Sequence, residues 1–245
     1  MYGRVKPMRM RRKKWARPEL EACPYFVAEP WEKQGEWTGL FPKRQPVWIE
    51  LGCGKGNFLA QYGIARPDRN FLGIDMISDM LGVARRRIQA SYAKENRLVD
   101  NLLLTSWDIT RLDMILNESD RAERIFINFC NPWNKPKQYK KRLTHPRQLA
   151  LYRRFLADGG EIRFKTDDDI LFEQSLSYFE EMGFSLEYIS RDLHQSGFFP
   201  NYRTEHEEMY SAEGVKIKFA IVRKLPDSEV SLAFVTSHKT PPLKK

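Results

Sequence analysis

From Val47 onward the chain alternates short apolar blocks with longer amphipathic stretches. The blocks at 47–51, 70–74, 102–105, 124–129 and 161–165 have strand length and strand composition. Further strands are expected at 184–189 and 215–222. Between them, Asn57 can cap a helix starting at Phe58, and Ser78 can cap one running to about residue 93. A short helix fits 109–117. Pro146 suits the first turn of a helix reaching about residue 157. Gly159-Gly160 then reads as a turn, and an amphipathic helix follows over 169–182 with Gly183 as its C-cap. Strand–helix alternation predicts an α/β fold: a mostly parallel, twisted sheet with helices on both faces. Residues 1–45 show no period and are expected as a basic N-terminal arm. The α/β domain then occupies 46–224, and 225–245 form a loosely ordered tail.

Length and composition narrow the class. The 245 residues suffice for one α/β domain with additions, and 42% hydrophobic with 30% charged residues describes a folded protein. No apolar run approaches the roughly 18–20 residues of a membrane span. The Arg-rich start has no apolar core of a secretory signal, so a cytoplasmic protein with no membrane partner is expected. Cys23, Cys53 and Cys130 form no CxxC pair, and His145, His194, His206 and His238 have no ligand spacing. Neither a disulfide framework nor a metal site is expected. Monomer and homodimer both remain open.

Charge points to a polyanion. The net charge is +9, and its placement is uneven. Residues 1–17 hold eight Lys or Arg and no acid, Arg11 and Arg12 among them; Lys135, Lys137, Lys140, Lys141, Arg142 and Arg147 form a second acid-free block. Such blocks suit phosphate contacts.

In a parallel sheet, ligands bind beyond the carboxyl ends of the strands. The residues at those ends are Gly52–Gly56, Asp75, Asp108, Asn131 and Thr166-Asp167. Gly52-x-Gly54-x-Gly56 lets backbone approach a ligand closely, a weak signal alone because NAD enzymes share it. Asp75, 19 residues after Gly56, can accept both hydroxyls of a ribose, which a dinucleotide and S-adenosylmethionine both offer. Asp108 favours the latter. Asp167-Asp168-Asp169 can also be a helix N-terminal cluster, a role that suits Asp168 or Asp169 better.

The stretch 128–142 is the most informative. Phe129-Cys130-Asn131-Pro132-Trp133-Asn134-Lys135, followed by Lys140-Lys141-Arg142-Leu143, resembles the signature of the bacterial tRNA (guanine-N7)-methyltransferases, Phe-x-Asp-Pro-Trp-Pro-Lys and then basic residues. Glu50 to Gly56 resembles that family's cofactor loop, and Gly73-Ile74-Asp75 its Gly-Ile-Glu. Lys165-Thr166-Asp167 resembles its Thr-Asp, and Thr204-Glu205-His206-Glu207 its Thr-x-x-Glu. The resemblance covers roughly residues 8–223. It implies a Rossmann-like class I methyltransferase domain, S-adenosylmethionine as cofactor and tRNA, at its variable loop, as partner. It also implies that Glu50, Gly52, Gly54, Gly56, Asp75, Asp108 and Asn131 line the cofactor. Lys135, Asp167, Thr204 and Glu207 would meet the guanosine, with Asn131 and Asp167 as the catalytic pair. Lys137, Lys140, Lys141, Arg142, Arg11 and Arg12 would hold RNA.

Three departures stand out. This chain has Asn131 where the family has Asp, Asn134 where it has Pro, and Lys137-Gln138 where it has Arg-His. Guanine N7 carries a lone pair and no proton, so its methylation needs alignment and a negative surrounding rather than a general base. Asn131 keeps an acceptor and loses a charge, and activity is expected to survive. The alternatives are a methyltransferase for another RNA or a protein, a non-catalytic tRNA-binding relative, and an NAD(P)-dependent oxidoreductase. The last lacks a Tyr-x-x-x-Lys relay.

Overall fold

The computed structural model describes residues 12–230. Arg11 and the end of the tail from residue 231 lie outside the described residues, so neither expectation about them is addressed. Eight strands form one sheet: β1 (Phe26–Val27), β2 (Val47–Leu51), β3 (Asn70–Asp75), β4 (Leu102–Ser106), β5 (Ala122–Asn128), β6 (Leu156–Thr166), β7 (Phe184–Ser190) and β8 (Lys218–Lys224). Their order is β1-β4-β3-β2-β5-β6-β8-β7, with β8 antiparallel to β6 and β7 and the other pairs parallel. Among the described residues six α-helices accompany them: α1 (Ala16–Glu21), α2 (Asn57–Ala65), α3 (Ser78–Lys94), α4 (Pro146–Phe155), α5 (Asp169–Glu181) and α6 (Glu205–Ala212). The expected α/β architecture is present.

All five residues of β2 are buried, as a central parallel strand covered on both faces requires. An aromatic cluster fills the space between α2 and the sheet. Trp48 meets Tyr62 at 5.3 Å, and Phe58 meets Phe126 at 4.9 Å between ring centroids. Gly56 lets α3 pack against the start of α2: a Cβ there would lie 2.8 Å from that of Ala84, so the two helices can close only over a glycine.

Several boundaries differ from expectation. Gly56, at φ +72°, is the N-cap of α2, and the Asn57 side chain donates instead to the Arg203 carbonyl at 3.1 Å. Ser78 is the first residue of α3 rather than a side-chain cap. Gly159-Gly160 belongs to a bulge within β6: the register steps from Ala122↔Leu156 to Arg124↔Glu161. Leu156 is buried and already holds the ladder, so the helix stops short of the glycines.

The described part of the expected 1–45 arm, from residue 12 on, is built into the fold. Ala16, Leu20 and Trp37 are buried, β1 extends the sheet alongside β4, and Trp37 Nε1 donates to the Ile115 carbonyl at 2.7 Å. The tail does not loosen at Leu225. Its N–H donates to the Gly183 carbonyl at 3.0 Å, and Arg153 holds both the Leu225 carbonyl and Asp227.

Candidate functional site: a cleft at the carboxyl edge of the sheet

The chain leaves β2 toward β3 and β4 on one side, then returns to place β5 on the other. That reversal puts the ends of β2 and β5 at the switch point, where an open α/β sheet binds ligands. Register sets Leu51 beside Ile127, and Asn128 beside Lys165. The glycine loop, the Asn-Pro-Trp loop and the Thr-Asp turn therefore emerge side by side.

Gly52 and Gly54 both have positive φ, +82° and +52°, and a Cβ on either would meet nothing within 4 Å. Backbone shape demands these glycines, and the space before them is open. Asp75 holds the loop: one carboxylate oxygen accepts from Gly54 N–H and the other from Ile77 N–H, each at 2.9 Å. Burial raises its pKa, while those backbone donors pull the other way. Asp108 accepts from the N–H and hydroxyl of Thr110, capping the turn after β4.

Glu50 is the unusual member. It is 2% exposed, and only Asn128 Nδ2 reaches it, at 2.9 Å on Oε1. Its Oε2 has no hydrogen-bond partner among the described residues. Burial pushes the carboxyl up to about 8. A buried carboxylate oxygen with no donor is costly, and an ammonium group in the cleft would satisfy it.

After β5, Phe129 (φ +53°) and Trp133 (φ +46°) bracket the loop in left-handed backbone, which is strained for such residues. Asn131 Oδ1 accepts from Trp133 N–H at 3.0 Å and closes an Asx turn. Lys135, Lys137, Lys140 and Lys141 are exposed, with the Lys141 ammonium 5.0 Å from the Trp133 ring. Arg142 is a correction to the expected RNA contacts. Its side chain is fully buried, donates to the Pro132 carbonyl at 2.6 Å and to Gln174 Oε1, and lies over the Tyr139 ring. It ties the loop to α5 and presents no charge to solvent.

Asp168 Oδ1 caps α5 by accepting from Leu171 N–H at 2.7 Å, which leaves Asp167 out of the cap. Asp167 is half-buried, and burial with the neighbouring Asp168 raises its pKa. Thr204 Oγ1 accepts from Glu207 N–H at 3.0 Å as the N-cap of α6. Glu207 points inward at 0% exposure. Its Oε2 takes Lys165 Nζ at 2.9 Å, and its Oε1 takes His194 Nε2 at 2.9 Å and Asn201 Nδ2 at 2.6 Å. Burial opposes its ionisation, yet Lys165, His194 and Asn201 outweigh that and hold its carboxyl below the usual range. Burial lowers the Lys165 pKa against the pull of Glu207. Glu207 is thus the centre of a buried network, and its carboxylate does not face the cleft where a guanosine contact was expected.

Lys165, His194 and Asn201 were not singled out for this role; only Lys165 sat in a recognised motif. A second unforeseen contact joins Lys55 of the glycine loop and Arg87 of α3 to Glu205 of α6. Further along this edge, Arg12, Lys13, Lys14 and Arg17 line a cleft of about 670 Å³ with Met76, Ile77, Ser78 and Asp79. Among the described residues, no His/Cys/Asp/Glu group is arranged to hold a metal, and no helix is long and apolar enough to cross a membrane.

The sheet order, the glycine loop and the cleft at the carboxyl edge define a Rossmann-like α/β fold, the fold of class I methyltransferases. Two solved structures share this fold, each at a TM-score of 0.55. One, "Structure of an Antibiotic Related Methyltransferase", is 18% identical and covers 78% of this chain and 92% of its own; the other is the 16S rRNA methyltransferase KamB, at 11%, with 74% and 89% covered. The family described as "Putative methyltransferase" matches residues 44–220. A tRNA (guanine-N(7)-)-methyltransferase of Clostridium perfringens is 55% identical over 89% of this chain and 100% of its own length, and that of Acetivibrio thermocellus is 46% identical over the same shares. The chain belongs to the tRNA (guanine-N7)-methyltransferase family and is an enzyme of that kind.

Proposed function

We propose that the chain transfers the methyl group of S-adenosylmethionine to N7 of a guanosine in tRNA, at the variable loop. The observation that carries the cofactor assignment is the buried, unpartnered Glu50 Oε2, two residues before the open glycine loop. A carboxylate there fits the ammonium of a methionyl group, and Asp75, on the next strand end, fits ribose hydroxyls. Asp108 and Asn131 would close the sides. Bound there, S-adenosylmethionine would offer an electrophilic methyl on a cationic sulfur; the N7 lone pair would take the methyl and the sulfur would leave as a neutral thioether. Positive charge then resides on the purine.

The protein's own part is alignment and charge. Asp167, free of the helix cap, supplies a negative neighbour for the cationic product. Lys135 and Thr204 lie on the loops that flank the cleft and would orient the base. The exposed Lys137, Lys140, Lys141 and Arg12 would meet phosphates. A tRNA substrate agrees with a cytoplasmic location. The test is an incubation of the protein with unmodified tRNA transcript and S-adenosylmethionine, followed by nucleoside mass spectrometry. 7-Methylguanosine is expected, and it should be lost in Asp167→Ala. Binding of both ligands without product would refute the catalytic reading, and Asn131→Asp would then show whether that position had silenced the enzyme.

A further inference from the structure

Phe199 is 90% exposed. A single exposed apolar residue ordinarily needs no explanation; Leu98 is 86% exposed too, but it lies just before β4, at the amino edge of the sheet. Phe199 differs in place and in support. Strand β7 runs parallel to β6, because both are antiparallel to β8, and Ser190 pairs with Phe219 while Thr166 pairs with Lys218. The connection from Ser190 to β8 therefore starts and ends at the same edge as the glycine loop and Asp167.

The segment that carries Phe199 is held on both sides. Phe198 packs on Tyr188 and Phe219 at 5.0 and 4.8 Å between ring centroids. Asn201 binds Glu207 and Lys165, and the Tyr202 carbonyl takes Lys165 Nζ at 3.0 Å. The Tyr202 ring packs on Tyr62 at 4.3 Å, and the Arg203 carbonyl accepts from Asn57 and Gln61. Phe198, Asn201, Tyr202 and Arg203 are tied inward, and the Phe199 ring is left exposed, five residues before Thr204.

A guanine within folded RNA is stacked, and drawing it into a cleft so that its N7 meets the methyl donor means unstacking it at a cost of a few kcal/mol. Proteins offset such costs with apolar or aromatic side chains that take over a vacated stack. We infer that Phe199 is a stacking platform for a nucleobase of the substrate RNA, next to the target guanosine. The inference rests on the proposed tRNA substrate and adds the residue that holds the opened stack. A held mount matters here: with the residues on either side already anchored, little backbone freedom is lost when the base arrives.

Two variants test it. Phe199→Ala should lower kcat/KM on tRNA by about 5- to 150-fold, the range of one base–aromatic stack, with S-adenosylmethionine affinity unchanged. Phe199→Trp should keep kcat/KM within about threefold, and its added indole fluorescence should be quenched when tRNA binds, over and above the wild-type change. Wild-type kcat/KM in Phe199→Ala, or an unquenched indole in the tRNA complex, would overturn the inference. Should the wild-type protein bind tRNA without methylating it, the activity reading falls alone, and the quench still decides whether Phe199 stacks.

Discussion

Glu207→Gln should destabilise the protein strongly before it affects any guanosine contact. The Glu207 carboxylate is fully buried and takes donors from Lys165, His194 and Asn201. An amide offers one acceptor and one donor group in place of two acceptors. Its NH2 group must then face Lys165, or else His194 and Asn201, all of which donate. Lys165, itself 5% exposed, loses its counter-charge. Breaking one side of a buried pair costs about 3–5 kcal/mol, and each kcal/mol moves Tm by about 2–4 °C in a chain of this size. A fall of roughly 6–20 °C is expected by circular dichroism. Adding Lys165→Met removes the stranded ammonium, so the double variant should recover a good part of that loss. A double-mutant cycle should give a coupling above about 1 kcal/mol. A Glu207→Gln protein that melts like wild type yet loses about a hundredfold in kcat/KM for tRNA would refute the reasoning. Glu207 would then turn outward to the guanosine, as the family resemblance implies.

Glu50 provides a proton readout of cofactor binding. Its carboxyl sits at about 8, up from the ordinary 4.5, so it is mostly protonated near neutral pH until a cation arrives. S-adenosylmethionine binding at about pH 6.5 should release close to one proton, measured calorimetrically in buffers of different ionisation enthalpy, and Glu50→Gln should abolish the release. Because the folded-state pKa is raised, its contribution to stability is complete below 4.5 and is lost as pH rises toward 8. The cofactor-free protein should therefore melt lower at about pH 8.5 than at about pH 6, and Glu50→Gln should flatten that slope. Arg142→Ala should lower Tm by roughly 5 °C or more, since it strands the Pro132 carbonyl and Gln174. Lys140→Ala with Lys141→Ala should leave Tm alone and reduce the salt dependence of tRNA affinity by a slope of about 1–2. If Arg142→Ala behaves like the lysine pair, its burial is wrong. Gly82→Val should loosen α1 from α3, because a Cβ at Gly82 would lie 2.5 Å from that of Ala16; faster proteolysis within residues 12–25 would report it, and wild-type resistance would count against the packing.

What the sequence disclosed follows the kind of force that holds each part. Strand β2 and the glycine loop were legible because an apolar run interrupted only by Glu50 and three glycines are local signals. Helix α6 was not, and its buried side chain explains why: the one buried residue among its eight is Glu207, so no apolar stripe announces it. Its anchor depends on Lys165, 42 positions earlier, a separation that no local window spans. The leader escaped for a related reason. Trp37 is buried through a hydrogen bond to Ile115 and a backbone grip by Asp120, contacts that impose no period on their neighbours. Arg142 shows the limit most sharply. Along the chain it is one more cation after Lys140 and Lys141, and only Pro132 and Gln174, brought in by the fold, separate its role from theirs. The charges at the carboxyl edge thus divide by burial. Glu50, Lys165, Glu207 and Arg142 are buried beneath the surface, while the lysines of the 135–141 loop and Phe199 stay exposed to solvent. A pattern of charge along the sequence locates this edge, but only the packing says which charges are available to a partner.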